Sequence, residues 1–156
     1  MKNLTNSPFY IFLDVDGVLN CKSDWKRPFS LNKSCILAFS ELCKLIGKPV
    51  CILSSTWRAG LSKYISSEQV DNLLKKLSEE GISISDSTPV SSKSRQEEIA
   101  YYLKRHCDNT DRYLILDDDK SLFPNPDSIN LYITDHLTGL TKKDLPKIRK
   151  MLKSVL

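Results

Sequence analysis

Phe9-Tyr10-Ile11-Phe12-Leu13-Asp14-Val15-Asp16-Gly17 is the stretch whose reading decides the fold. An apolar run rich in aromatic and β-branched residues stops abruptly at an acid, the pattern of a buried strand whose carboxyl end carries polar groups. The same design recurs twice downstream. Pro49 to Leu53 runs into Ser54-Ser55-Thr56, and Tyr113 to Leu116 runs into Asp117-Asp118-Asp119. Ile129 to Ile133 is a further strand candidate, and Ile82 to Ser85 alternates with period two over a short length.

Helical periodicity fills the intervals. Ile36, Leu37, Phe39, Leu42, Leu45 and Ile46 form an apolar stripe from about Asn32 to Ile46, with Gly47 as a stop. A helical piece is expected near Arg58 to Tyr64. Another, from about Ser67 to Glu80, carries Val70, Leu73, Leu74 and Leu77 and ends at Gly81. Ser92 or Ser94 can cap a helix holding Ile99, Tyr102 and Leu103, with Glu97 and Glu98 in its first turn. Thr141 and Asp144 approximate a capping box before a final helix through Leu145, Ile148, Leu152 and Val155. Strands alternating with helices, without a second compositional block, predict one α/β domain over residues 1–156 with a mainly parallel sheet. Such a sheet binds ligands beyond the carboxyl ends of its strands, where the three polar clusters fall. Residues from about 18 to 30 read as a loop or small flap.

Composition narrows the function classes. The 156 residues are 40% hydrophobic and 27% charged, which suits a globular core rather than a disordered chain. The net charge of +4 is too mild to establish nucleic-acid binding. Lys142, Lys143, Lys147, Arg149, Lys150 and Lys153 do gather near the end, as a solvated helix face or as a surface for a polyanion. The five cysteines lack a CxxC pair, and only His106 and His136 could join them, so neither a structural zinc nor a disulfide framework is expected. They read as thiols of a reducing compartment. No leader-like or membrane-spanning apolar run precedes Asp14, so a cytoplasmic location without membrane contact is expected.

Asp14 and Asp16 lie two residues apart just past a strand, where a bend can bring both acids to one ion. Hard oxygen ligands suit magnesium. One carboxylate can then attack phosphorus while its partner transfers a proton. Gly17 permits a tight turn that would aim a backbone amide at a phosphate. The plainer alternative is an acid pair that merely ends a strand. Asp117, Asp118 and Asp119 weigh against it, because three like charges in a confined site call for a cation, although a surface turn could let them diverge. Ser54, Ser55 and Thr56 could donate to a phosphate oxygen or cap the next helix. Lys93 and Arg95 supply positive charge before the next helix, solvated or set against a phosphoryl group. No GxSxG elbow supports a serine hydrolase.

These groups, in this order, resemble the haloacid dehalogenase superfamily. Asp14-Val15-Asp16-Gly17-Val18-Leu19 looks like its first motif, Ser54 after Cys51-Ile52-Leu53 its second, Lys93 or Arg95 its third, and Leu116-Asp117-Asp118-Asp119 its fourth. The strings Leu13 to Asn20, Leu53 to Arg58 and Ile115 to Asp119 resemble a small capless branch that includes phosphatase-like domains of RNA repair proteins. The resemblance implies a three-layer Rossmann-like fold with minimal or no cap. It implies a Mg2+-dependent phosphatase with Asp14 as nucleophile and Asp16 as general acid and base. Asp118 would hold magnesium with the Asp14 side chain and the Asp16 carbonyl, assisted by Asp117. Phosphate contacts are expected from Gly17, Ser54, Ser55, Arg58 and either Arg95 or Lys93, with Arg95 preferred for its phase relative to Ile99. Arg58 has a rival reading as a solvated first-turn residue. The intervals between motifs leave no room for a large cap, which suits a nucleotide or the phosphorylated end of RNA or DNA. The alternatives are a small-molecule phosphatase of the same fold and a non-catalytic, receiver-like signalling domain.

Overall fold

In a computed structural model that describes residues 7–61, 68–107 and 112–156, five parallel strands form one sheet. They are β1 (Tyr10–Leu13), β2 (Val50–Leu53), β3 (Ile84–Ser87), β4 (Tyr113–Asp117) and β5 (Leu131–Ile133), in the order β3-β2-β1-β4-β5. Among the described residues four α-helices connect and flank them: α1 (Lys33–Ile46), α2 (Glu68–Ser78), α3 (Arg95–His106) and α4 (Leu145–Met151).

The pleat divides the strand residues between two faces. Ile11, Leu13, Cys51, Leu53, Leu114 and Leu116 bury against Phe39 and Leu42 of α1, Leu73 and Leu77 of α2, and Ile148 of α4. Phe12, Ile52 and Ile115 face the other way, onto Ile99, Tyr102 and Leu103 of α3 and onto Phe123. The result is a three-layer α/β sandwich whose central strands are apolar on both faces. Burial of each such Leu, Ile or Phe contributes roughly 1.5–3 kcal/mol.

Local chemistry sets the helix ends. Asn32 Oδ1 accepts from the amides of Ser34 and Cys35, and Gly47 closes α1 in the left-handed region at φ 94°. Of the two serines that could cap α3, Ser94 does so, accepting from the Glu97 amide at 3.2 Å.

Three expectations need correction. Strand β3 begins at Ile84, two residues late, because Ile82 N bonds Leu77 O and Ile82 thereby belongs to the closing turn of α2. The piece expected over Arg58 to Tyr64 is a 3-10 turn, Thr56–Leu61, while residues 62–64 lie outside the described residues, as does Ser67. The basic run is not one helix. Lys142–Asp144 form a 3-10 turn, Asp144 Oδ2 accepting from Thr141 N at 2.8 Å, and α4 ends at Met151, before Lys153. The run also leads away from the carboxyl edge: Val155 O accepts from Arg112, just before β4, at the opposite edge of the sheet. Among the described residues no helix is long and apolar enough to cross a membrane.

Candidate active site at the carboxyl edge of the sheet

Strand register assembles the site. Leu13 pairs with Leu53 on one side and with Leu116 on the other, so the next residues, Asp14, Ser54 and Asp117, stand abreast on the three central strands. Backbone bonds carry the row onward. Asp14 N donates to Leu116 O and Ser54 N to Leu13 O, both at 3.0 Å, while Thr88 N reaches Leu53 O and Thr134 N reaches Asp117 O. Each strand is thus followed or ended by a buried polar residue: Thr88, Ser54, Asp14, Asp117 and Thr134.

Asp14, Asp117 and Asp118 can each offer one carboxylate oxygen within 4.8 Å of the others. Arg95, the first residue of α3, sets its guanidinium against two of them, 3.3 Å from Asp14 and 2.7 Å from Asp117. One guanidinium against three acids leaves the cluster short of positive charge. Burial first, then the Asp117 charge, pushes the Asp14 carboxyl well above the ordinary range, only partly offset by Arg95. Burial and Asp117 likewise raise Asp118. Burial alone would lower the Arg95 value, but Asp14 and Asp117 reverse that and hold the guanidinium charged. An all-oxygen donor set with excess negative charge fits a hard divalent cation such as Mg2+.

Asp16 turns out of this cluster. Its Oδ1 accepts from Asn20 Nδ2 at 2.9 Å and its Oδ2 from Trp57 Nε1 at 3.1 Å, which fixes the carboxylate in the wall of a neighbouring cavity. Gly17 corrects one expectation. Its amide is not aimed at a ligand but donates to Asn20 Oδ1 at 2.9 Å. The glycine is required for another reason: φ is +81°, and a Cβ there would lie 2.2 Å from Asp118 Oδ2. The turn is closed from below by Thr134, whose hydroxyl donates to Gly17 O at 2.7 Å.

The remaining sequence candidates separate clearly. Ser54 is fully buried and its Oγ has no hydrogen-bond partner among the described residues, a hydroxyl held at the end of the strand next to Asp14. Ser55 Oγ accepts from the Trp57 amide and starts the Thr56–Leu61 turn, the capping role open to Ser54, Ser55 or Thr56 on the sequence. Arg58 is not a solvated first-turn residue. It is buried, bonding the carbonyls of Ser54 and Ser55 and pairing with Glu98 at 2.8 Å. Lys93 is exposed, whereas Arg95 enters the acid cluster. Asp119 is exposed too, and its Oδ1 accepts from Ser121 N at 3.0 Å to cap a short turn.

Sequence reasoning missed Asn20, Trp57 and Glu98 as parts of this frame. Glu98 carried a usable signal, since it lies on the same helical face as Tyr102, four residues on, which the apolar pattern marks as inward. Thr88 and Thr134 had no signal beyond following short strands.

The model of the HAD domain in Swiss Army Knife RNA repair proteins matches residues 10–145. The chain belongs to this family. No curated protein and no solved structure matches it. As a HAD domain it is of phosphatase type in general, and HAD domains generally use Mg2+, in keeping with the buried acid cluster.

Proposed function

We propose that this HAD domain is a Mg2+-dependent phosphomonoester hydrolase that acts on phosphorylated nucleic-acid ends through an aspartyl phosphate. The observation that carries the proposal is the row of Asp14, Ser54 and Asp117 set abreast by parallel pairing and bridged by Arg95. Asp14, Asp117 and Asp118 would hold the cation, with the Asp16 carbonyl, and the cation would supply charge neutralisation at the phosphoryl oxygens.

In the first half-reaction a carboxylate oxygen of Asp14 attacks phosphorus and the ester P–O bond breaks. Asp16 gives its proton to the departing oxygen. In the second, Asp16 takes a proton from water, the water oxygen attacks phosphorus, and the bond to Asp14 breaks to release inorganic phosphate. Ser54 Oγ and the Arg95 guanidinium stabilise the phosphoryl oxygens as charge accumulates. Arg58 acts indirectly, by tying the Ser54 and Ser55 carbonyls to Glu98 of α3.

A nucleic-acid end is favoured because the chain belongs to a family named for RNA repair and because, among the described residues, no inserted domain covers the carboxyl edge. A reducing compartment suits five cysteines that form no disulfide among the described residues. The test is a panel of mononucleotides, sugar phosphates, phosphopeptides and 3′- and 5′-phosphorylated oligonucleotides, each with Mg2+ and with chelator. Turnover of oligonucleotides that chelator abolishes is expected. Preference for sugar phosphates would move the substrate to small molecules, and stable phosphorylation without turnover would indicate a receiver.

A further inference from the structure

Beside the acid cluster, on the Asp16 side, lies a cavity of about 430 Å3 walled by Trp25, Phe29 and Trp57 together with Asp16, Asn20 and Arg27. Its size is that of a small-molecule site. The aromatics are held rather than loose. Trp57 donates its indole proton to Asp16, Trp25 donates its own to Asn20 Oδ1 at 2.9 Å, and one face of Trp25 rests on His136. Phe29 meets Trp57 edge to face with ring centroids 5.0 Å apart. Two of the three nevertheless stay open to solvent, Trp25 at 41% and Phe29 at 45%. Phe29 also sits at φ 60°, a costly conformation for a bulky residue.

We infer that this cavity binds the base of the nucleotide that carries the scissile phosphate, with Phe29 and Trp25 as its stacking platform and Arg27 meeting the next phosphate of the strand. The inference rests on the phosphatase reading and extends it. Asp16, the group that would protonate the departing oxygen, is part of the cavity wall, so the leaving group must lie on this side. A nucleotide leaving group brings a planar base next to half-exposed aromatic rings, where stacking is favourable whatever the base. Besides Asp16, Arg27 is the one charged residue in the wall, and its sign matches a phosphodiester rather than a neutral lipid or an uncharged peptide.

Both tryptophans of the chain line this cavity, so their emission reports on it directly. In chelator, the intact protein is titrated with 3′- and 5′-phosphorylated dinucleotides and with ribose 5-phosphate. At least one dinucleotide should quench tryptophan emission at concentrations where ribose 5-phosphate does not. Phe29→Ala should weaken that binding about tenfold, and Phe29→Tyr should restore it. With Mg2+, the ratio of kcat/KM for the dinucleotide to that for ribose 5-phosphate should fall by a similar factor in Phe29→Ala, chiefly through KM. Equal quenching by all ligands, or an Ala variant that leaves the ratio untouched, overturns the stacking role. Hydrolysis of p-nitrophenyl phosphate is measured separately, and its absence in wild type would count against the phosphatase reading alone.

Discussion

The two acidic runs, 14–16 and 117–119, each send one carboxylate away from the central cluster, but they do so by different means. Asp16 is drawn off by long-range side chains, Asn20 and Trp57, and stays in the wall of a cavity beside the cluster. Asp119 is drawn off by the backbone of its own turn and points into solvent. An acid diverted by its neighbours in space remains available to a substrate. One diverted to its own backbone has become a cap. Charge clustering along the chain therefore marks the site, and the partner of each carboxylate decides whether that acid belongs to it.

Four substitutions can break or sharpen this contrast. The largest effect is expected for Asp14→Asn, which keeps size while removing the attacking anion. Turnover should fall on the order of 10^3-fold or more with the far-ultraviolet circular dichroism spectrum unchanged, and wild-type rates in a sample free of deamidation would remove Asp14 from the nucleophile's role. Asp16→Asn should cost roughly 10^2- to 10^4-fold, most severely for substrates with poor leaving groups. An equal loss with p-nitrophenyl phosphate and an alkyl phosphate would contradict proton transfer by Asp16.

Asp118→Asn tests the cluster itself. Burial raises the Asp14 and Asp118 values in the metal-free protein, so their contribution to stability is present at low pH and is lost as pH rises beyond the ordinary Asp range near about 3.9. A divalent cation competes with protons for the same oxygens. Mg2+ should accordingly raise Tm more at pH 7.5 than at pH 5, and Asp118→Asn should shrink that difference. A Mg2+ shift that is independent of pH and of Asp118 would place the ion elsewhere.

The smallest effect is expected for Asp119→Ala. Loss of its cap should cost about 0.5–2 kcal/mol in denaturant unfolding, and turnover should stay within about twofold, since an exposed carboxylate spent on its own turn carries little transition-state energy. A loss comparable to that of Asp16→Asn would mean that the two diverted acids are not different in kind.

Much of this was legible one segment at a time. Apolar runs that end in acids or hydroxyls marked β1, β2 and β4 and their carboxyl edge, and the apolar stripes marked α1, α2 and α3. Boundaries slipped where a residue had two possible employers, as when Ile82 served the end of α2 instead of β3. The two arginines show a deeper limit. Arg58 and Arg95 look alike along the chain, each close after a strand or loop and each before or within a helical piece. Only their partners, Glu98 and the carbonyls for one and Asp14 and Asp117 for the other, separate frame from site.

By itself, then, the sequence determined the strands, the order of the motifs and the family, because burial pattern and chemical type are properties of neighbours along the chain. The tertiary structure decided which partner each charged side chain meets. Trp57 reaches Asp16 across 41 positions, Arg58 reaches Glu98 across 40, and Thr134 reaches Gly17 across 117. Those meetings depend on strand register and on which face of the sheet each crossover covers, and no local period encodes either.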